Sequence, residues 1–293
     1  MTPLHLLIAL LVPLTWGFGF VLAKAGLAHF PPLLLMGLRF LIAALILVWF
    51  VKLPRGHWPM LTLIAMTSAT LQYGLTFSGL ARMDATPAIL LIQSEVVFGA
   101  VIAALMLRER PTRRQVFGMT VSIGGIATIV GAPSLEGQFV GICLVLSGCL
   151  FWAFGQVLVR RLGDALNGFQ LTAWIGMIAA PQMLFASALI EGNPLPVLAS
   201  ASASDWVAVA YLGVVMTVVG YSAWYFILAR YPVPMAMPVL LLLPVSTILG
   251  AISFLGERPG THVMLGGLIV IGGVAAVIVE PGQLRRLVSR RTG

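Results

Sequence analysis

Apolar residues fall in long blocks along this chain, and polar ones gather in the short stretches between them. Ten blocks stand out, at roughly 4–24, 32–51, 58–81, 86–107, 112–131, 138–160, 168–190, 206–229, 234–255 and 261–280. A helix rises about 1.5 Å per residue, so about 20 residues cross a hydrocarbon core about 30 Å thick. Lipid offers no partner for backbone N–H and C=O groups, and a helix satisfies its own. The pattern predicts an all-α integral membrane protein of ten transmembrane helices. The first block lacks a basic leading region and has a counterpart later in the chain, so it reads as structure, not as a cleaved signal.

That counterpart belongs to an internal repeat. WGFGFVLAK at 16–24 returns as WAFGQVLVR at 152–160, an offset of 136. After extra residues around NPLPVLASASAS the offset becomes 148: Trp58 meets Trp206, YGLTFSGLAR (73–82) meets YSAWYFILAR (221–230), and ERP (109–111) meets ERP (257–259). Gly118, Gly124 and Gly125 meet Gly266, Gly272 and Gly273. The chain therefore divides into a five-span unit at 1–131, its copy at 138–281, and a basic tail at 282–293. A unit with an odd number of spans, followed directly by its copy, leaves the copy upside down in the bilayer. Inverted repeats of this kind recur in secondary transporters, with the substrate site near the midplane between the halves.

Composition agrees with the blocks and charge adds the orientation. Of the residues, 60% are hydrophobic and 9% charged, against about 25% charged in a soluble domain. With a cytoplasmic N-terminus, thirteen of the 17 basic residues fall in cytoplasmic loops and tail, three (Lys24, Arg82, Arg258) fall outside, and Arg39 lies within a span. By the positive-inside rule both termini are then cytoplasmic. The net charge of +8 reports this topology and carries no nucleic-acid signal. Cys143 and Cys149 lie on different faces of one helix and cannot bridge each other, and the four histidines stand singly, so no metal and no cofactor is expected.

Trp16 in the first span, Arg39 in the second and the two Glu-Arg-Pro turns opening spans five and ten, set in a tandem five-span layout, resemble the EamA family of the drug/metabolite transporter superfamily. The resemblance covers essentially the whole chain, and within the family it is most like the YddG-type exporters of aromatic and other hydrophobic amino acids. It implies ten helices, as two inverted five-helix repeats around a central cavity, export from the cytoplasm, and a bacterial inner membrane location.

Counting from span ends places Trp16, Arg39, Tyr73 and Glu95 roughly 10–14 Å below the outer boundary, and Trp152 and Tyr221 about 12–13 Å above the inner one. Both sets converge on the midplane. The tryptophan pair lies too deep for the interfacial belt, so each indole needs an internal partner or a wet cavity. Trp58 and Trp206, at span starts, fit the belt. Ser68, Gln72 and Thr76 form a polar stripe at helical spacing, facing either another helix or water. With Tyr73, Tyr221 and Trp224 alongside, it reads as the wall of an amphipathic aromatic cavity. The expected substrate-binding residues are Trp16, Gln72, Tyr73, Gln93, Glu95, Trp152, Gln156, Tyr221 and Trp224.

Two readings of Glu95 stand side by side. A carboxylate at this depth is costly unless paired, hydrated or protonated, so it either receives a substrate ammonium or a coupling proton, or forms a structural ion pair with Arg39. Pro181 and Pro244 are candidate gating kinks, and the seven glycines of spans five and ten (118, 124, 125, 266, 267, 272, 273) are expected to let those helices approach closely. In the Glu-Arg-Pro turns a surface ion pair is expected. The expected function is export of small amphipathic metabolites, aromatic or hydrophobic amino acids first, by alternating access. A drug or other metabolite is the alternative cargo. A membrane-embedded lipid enzyme is disfavoured, because no catalytic cluster stands near a boundary. The partners are a small-molecule substrate and the lipid bilayer, and the sequence leaves monomer and homodimer open.

Overall fold

The computed structural model describes residues 2–54, 56–107, 112–132, 135, 137–228, 230–231 and 237–278, and its regular structure is all helical. Helices α1 (Pro3–Gly26) and α2 (Pro32–Leu47) fill the first two blocks. In the third block α3 (Trp58–Ala65) passes through a π-helical stretch, Met66–Leu71, into α4 (Gln72–Leu80). The fourth holds α5 (Ala85–Ile92) and α6 (Ser94–Leu107), parted at Gln93, and the fifth holds α7 (Arg113–Val130). Then come α8 (Phe139–Leu162), α9 (Gly168–Ile190) and the short α10 (Pro194–Ser200). A second π-helical stretch, Tyr211–Val219, joins α11 (Ala203–Ala210) to α12 (Gly220–Leu228). A 3-10 turn, Met237–Leu241, leads into α13 (Leu242–Leu255), and α14 (Thr261–Ile278) follows.

Among the described residues six segments are long and apolar enough to cross a membrane: Pro3–Gly26, Pro32–Phe50, Ala85–Met106, Phe139–Leu162, Gly168–Ile190 and Ala203–Ile227. Val239–Leu255 and Thr261–Val277 are shorter apolar helices. The two remaining blocks fall on α3–α4, with its polar stripe, and on α7, which opens with Arg113 and Arg114. The first Glu-Arg-Pro turn (109–111), the boundary at 281 and the tail 282–293 lie outside the described residues.

Helix irregularities recur at the repeat offset of 148 even where the sequence does not. The π-helical stretch 66–71 corresponds to 214–219, inside the second one. Helix α6 starts at Ser94 and α13 at Leu242, again 148 apart, although Gln93-Ser94-Glu95-Val96 faces Leu241-Leu242-Leu243-Pro244. Pro244 is the third residue of α13, in a first turn where its missing N–H costs little. The break is therefore built in both copies, and Pro244 starts a helix and does not kink one. Pro181 sits on an exposed face of α9, whose helix runs unbroken through it.

Close helix contacts are made by glycine, as lipid-embedded helices require in place of a hydrophobic driving force. Helices α7 and α14 pack antiparallel. A β-carbon at Gly118 would come within 2.6 Å of the Gly273 carbonyl oxygen, and one at Gly125 within 2.7 Å of that of Gly266. Gly124 and Gly272, expected at the same seam, face open space, and Gly267 faces Leu90 of α5. Along α8, Gly141, Gly148 and Gly155 recur every seven residues and take Gly79, Thr76 and Ser68 against their backbone. The polar stripe thus divides. Thr76 is a helix-contact residue, whereas Ser68 and Gln72 also reach the central cavity.

Candidate functional site

A cavity of about 940 Å³ lies between the two halves of the chain. Its wall includes all nine residues singled out for substrate binding: Trp16, Gln72, Tyr73, Gln93, Glu95, Trp152, Gln156, Tyr221 and Trp224. Arg39 borders it as well, whereas Pro181 and Pro244 do not. The helix irregularities supply this wall. The break between α5 and α6 offers Gln93 and Glu95 to it, the matched break before α13 offers Leu240, Leu241 and Leu243, and the second π-helical stretch offers Met216 and Thr217.

Repeat-matched tyrosines meet in its wall. The Tyr73 and Tyr221 hydroxyls are 3.3 Å apart, at positions 148 residues apart in the chain. Tyr221 lies against Trp16, ring centroids 4.8 Å apart, with Trp224 beyond at 6.3 Å from Trp16. The Trp16 indole N–H has no hydrogen-bond partner among the described residues and lies over Gly220, where a β-carbon would overlap it. Depth alone suggested that this N–H needs a partner or water. The ring lines the cavity, but its N–H is turned into a glycine notch.

Arg39 is fully buried at 0% exposure. Its Nε donates to Thr217 Oγ1 at 2.9 Å, and one terminal nitrogen donates to Tyr73 Oη at 3.5 Å. The other reaches, among the described residues, the thioether of Met36 at 3.9 Å. The guanidinium lies over the Tyr73 and Phe40 rings at 4.6 and 5.3 Å, a cation–π arrangement. Thr217 can take this role because of the π-helical stretch, where its hydroxyl donates to Leu212 O five residues back at 2.8 Å. The neighbouring Gly213 lets α2 press in at Ile42.

The direct Arg39–Glu95 pair entertained from the sequence is not made. No ion pair among the described residues joins them; Arg39 is occupied by Thr217, Tyr73 and Met36, and Glu95 keeps partial access to the cavity. Similar depth did not determine which faces of α2 and α6 meet.

The cavity extends toward the end of the molecule where α8 and α14 finish and α7 and α9 begin, through Thr112, Arg114, Val159, Gly168 and Val277. At the opposite end three side chains tie helices to one another. Lys24 Nζ donates to Leu80 O and Met83 O, both at 2.9 Å, holding α1 to the end of α4. Glu257 accepts from the N–H groups of Ala85 (2.5 Å) and Thr86 (2.9 Å), capping α5 from the other repeat. Its Glu-Arg-Pro turn was expected to make a surface ion pair; the carboxylate caps a helix, where two unsatisfied donors await an anion. Glu191 does the same for α2 through Leu33 and Leu34, at 2.8 and 3.0 Å. Asp84 shares the Glu257 corner. Although the residue keeps surface access, partial burial of its carboxyl, with Glu257 beside it, holds its pKa above the usual value, against the opposing pull of Lys24.

Sequence reasoning missed Thr217 as the Arg39 acceptor, Tyr225 in the cavity wall, and Arg114 near the cavity end. Thr217 and Tyr225 stood among the polar and aromatic residues of span eight, but nothing in one span says which residues of another it meets. Arg114 looked like any cytoplasmic-loop cation.

Residues 4–131 and 139–279 each match the EamA-like transporter family. A probable amino-acid metabolite efflux pump of Salmonella typhimurium is 31% identical over 276 residues, covering 91% of this chain and 92% of that one. The inner membrane transporter YedA of Escherichia coli is 26% identical over 220 residues, covering 73% of this chain and 70% of its own. A solved crystal structure shares the fold at a TM-score of 0.67 and 20% identity, covering 97% of this chain and 98% of that one. With two matches to one family model spanning nearly its whole length, the chain belongs to the EamA-like transporter family and is a multi-pass membrane transporter.

Proposed function

We propose that this transporter exports small amphipathic metabolites, aromatic and hydrophobic amino acids first among them, by alternating access between two oppositely oriented five-helix repeats. The observation that carries the reading is the cavity itself. Repeat-matched aromatics, Trp16 with Trp152 and Tyr73 with Tyr221, wall a single hollow of about 940 Å³ that also holds Glu95. That size suits a small molecule. The antiparallel packing of α7 on α14 at repeat-matched glycines supports opposite orientation of the two halves. The efflux role named for the Salmonella typhimurium relative supports amino-acid metabolites as cargo.

The N- and C-termini lie in the cytoplasm of a bacterial cell, on the reading of the basic loops, and the cavity then extends toward the cytoplasm while Lys24, Glu191 and Glu257 tie the outer end. Cargo binds from inside, and rocking of the halves breaks the outer ties. Glu95, with no ion pair among the described residues, receives the cargo's ammonium.

Uptake of radiolabelled phenylalanine, threonine and an organic cation into proteoliposomes, with and without a pH gradient, tests this. Saturable phenylalanine transport, reduced in Glu95→Gln, is expected. Transport of none of the three refutes the proposal, and transport of the organic cation alone moves the cargo to the drug class.

A further inference from the structure

Two of the charges bordering the cavity, Arg39 and Glu95, come from the first repeat, and in the second repeat both have become hydrocarbon. Arg39 corresponds to Ile175 at the offset of 136, and Glu95 to Leu243 at 148; all four residues line the same cavity. Two near-symmetric halves have diverged so that one side of the hollow carries charge and the other does not.

Arg39 is the more telling of the two charges. A guanidinium only donates, with five N–H groups. The three partners it finds are a hydroxyl, a phenol and a thioether, all neutral. No carboxylate among the described residues pairs with it. A cation in a membrane interior without a counter-ion is costly and, where it is retained, usually functional.

Its charge also bears on the tyrosines. Arg39 can only donate, so Tyr73 Oη accepts from it, and across the 3.3 Å contact between Tyr73 and Tyr221 either hydroxyl can donate to the other. With Tyr73 as the donor, Tyr221 Oη accepts and its own proton is free, with no further acceptor recorded for it among the described residues. The chain Arg39 to Tyr73 to Tyr221 thus ends in an O–H polarised by a buried cation, in the cavity wall. What such a donor lacks is an anionic acceptor.

We propose that the Arg39–Tyr73–Tyr221 chain is a carboxylate subsite, in which Tyr221 donates to a carboxylate oxygen of the cargo under the field of Arg39. The cargo's apolar part then lies on the side of Ile175 and Leu243, and any ammonium group faces Glu95. This deepens the export reading and rests on it, since it assigns which end of a zwitterion binds where.

Isothermal titration of the full-length protein in nanodiscs at neutral pH, with three probes sharing one ring, tests the assignment. L-phenylalanine carries both charged groups, 3-phenylpropionate only the carboxylate, and phenethylamine only the ammonium. Losing a hydrogen bond to a charged group corresponds to roughly a tenfold to hundredfold change in affinity. Tyr221→Phe is expected to weaken L-phenylalanine and 3-phenylpropionate to that extent and to leave phenethylamine within about twofold. Tyr73→Phe, which cuts the relay and keeps the ring over Arg39, is expected to move the same two probes in the same direction. Equal weakening of all three probes, or unchanged carboxylate binding in Tyr221→Phe, overturns the subsite. Wild-type protein that binds phenethylamine and ignores both carboxylates also overturns it, leaving export of another cargo standing. If the wild type binds none of the three, the amino-acid reading falls together with the subsite.

Discussion

Two adjacent glycines of α7 should respond oppositely to the same added methyl group. Gly125 faces α14, and a β-carbon there would lie 2.7 Å from both the Gly266 carbonyl oxygen and the Val270 nitrogen. These are backbone atoms, and no side-chain rotation relieves the overlap. Favourable carbon contacts begin near 3.5 Å, so the helices would have to part by roughly 0.8 Å along a seam that also serves Gly118 and Gly273. Overpacking of this kind costs about 1–3 kcal/mol, and the unyielding partners argue for the upper half of that range. Gly124, one residue earlier, has nothing within 4 Å of the same added atom and faces outward. There alanine should be neutral or stabilising by up to about 1 kcal/mol through helix propensity. Thermal unfolding in detergent micelles, followed by tryptophan fluorescence, reads the difference. Gly125→Ala should lower the midpoint by roughly 4 °C or more, and Gly124→Ala should leave or raise it. The repeat provides an internal replicate: Gly272 is open, whereas a β-carbon at Gly273 would come within 2.6 Å of the Gly118 oxygen. Equal shifts for the two members of either pair would refute the packing on which the antiparallel α7–α14 seam rests.

Two further outcomes concern the tied end. Glu257→Ala removes the acceptors for the Ala85 and Thr86 N–H groups, and should destabilise the protein by about 1–2 kcal/mol; an unchanged unfolding midpoint would mean that water replaces the cap without loss. For Asp84 the sign follows from its raised folded-state pKa. Its favourable contribution is complete below the unfolded carboxylate value and is lost as pH rises through the folded one. Asp84→Asn should therefore unfold at a higher temperature than the parent at neutral pH, with the advantage shrinking as pH falls through the raised folded value and gone below about pH 4. An advantage that grows as pH falls would contradict the burial of that carboxyl and the proximity of Glu257.

Much of this protein was written in the order of its residues. Block length decides that helices form, because lipid leaves backbone groups no other partner. The offsets of 136 and 148 identify the two copies, and the pairs Trp16 with Trp152 and Tyr73 with Tyr221 single out positions that the structure brings to one cavity. These are one-dimensional properties, carried by hydropathy and self-similarity. Orientation around each helix axis is not among them. Arg39 and Glu95 looked like partners because depth was all that could be counted, yet Arg39 turns to Thr217 and Tyr73. Gly124 and Gly125 looked alike until packing assigned one to α14 and the other to open space. Glu257 read as half of a surface ion pair, and only the approach of α5 turned it into a cap. The break at Gln93 was hidden for a related reason: the matched break before Leu242 lies among leucines and shares none of its polar residues. Hydrophobic patterning says how deep a residue sits, because burial in lipid is a free energy summed along the chain; which neighbour it faces depends on contacts between distant segments, and these exist only once the helices have packed.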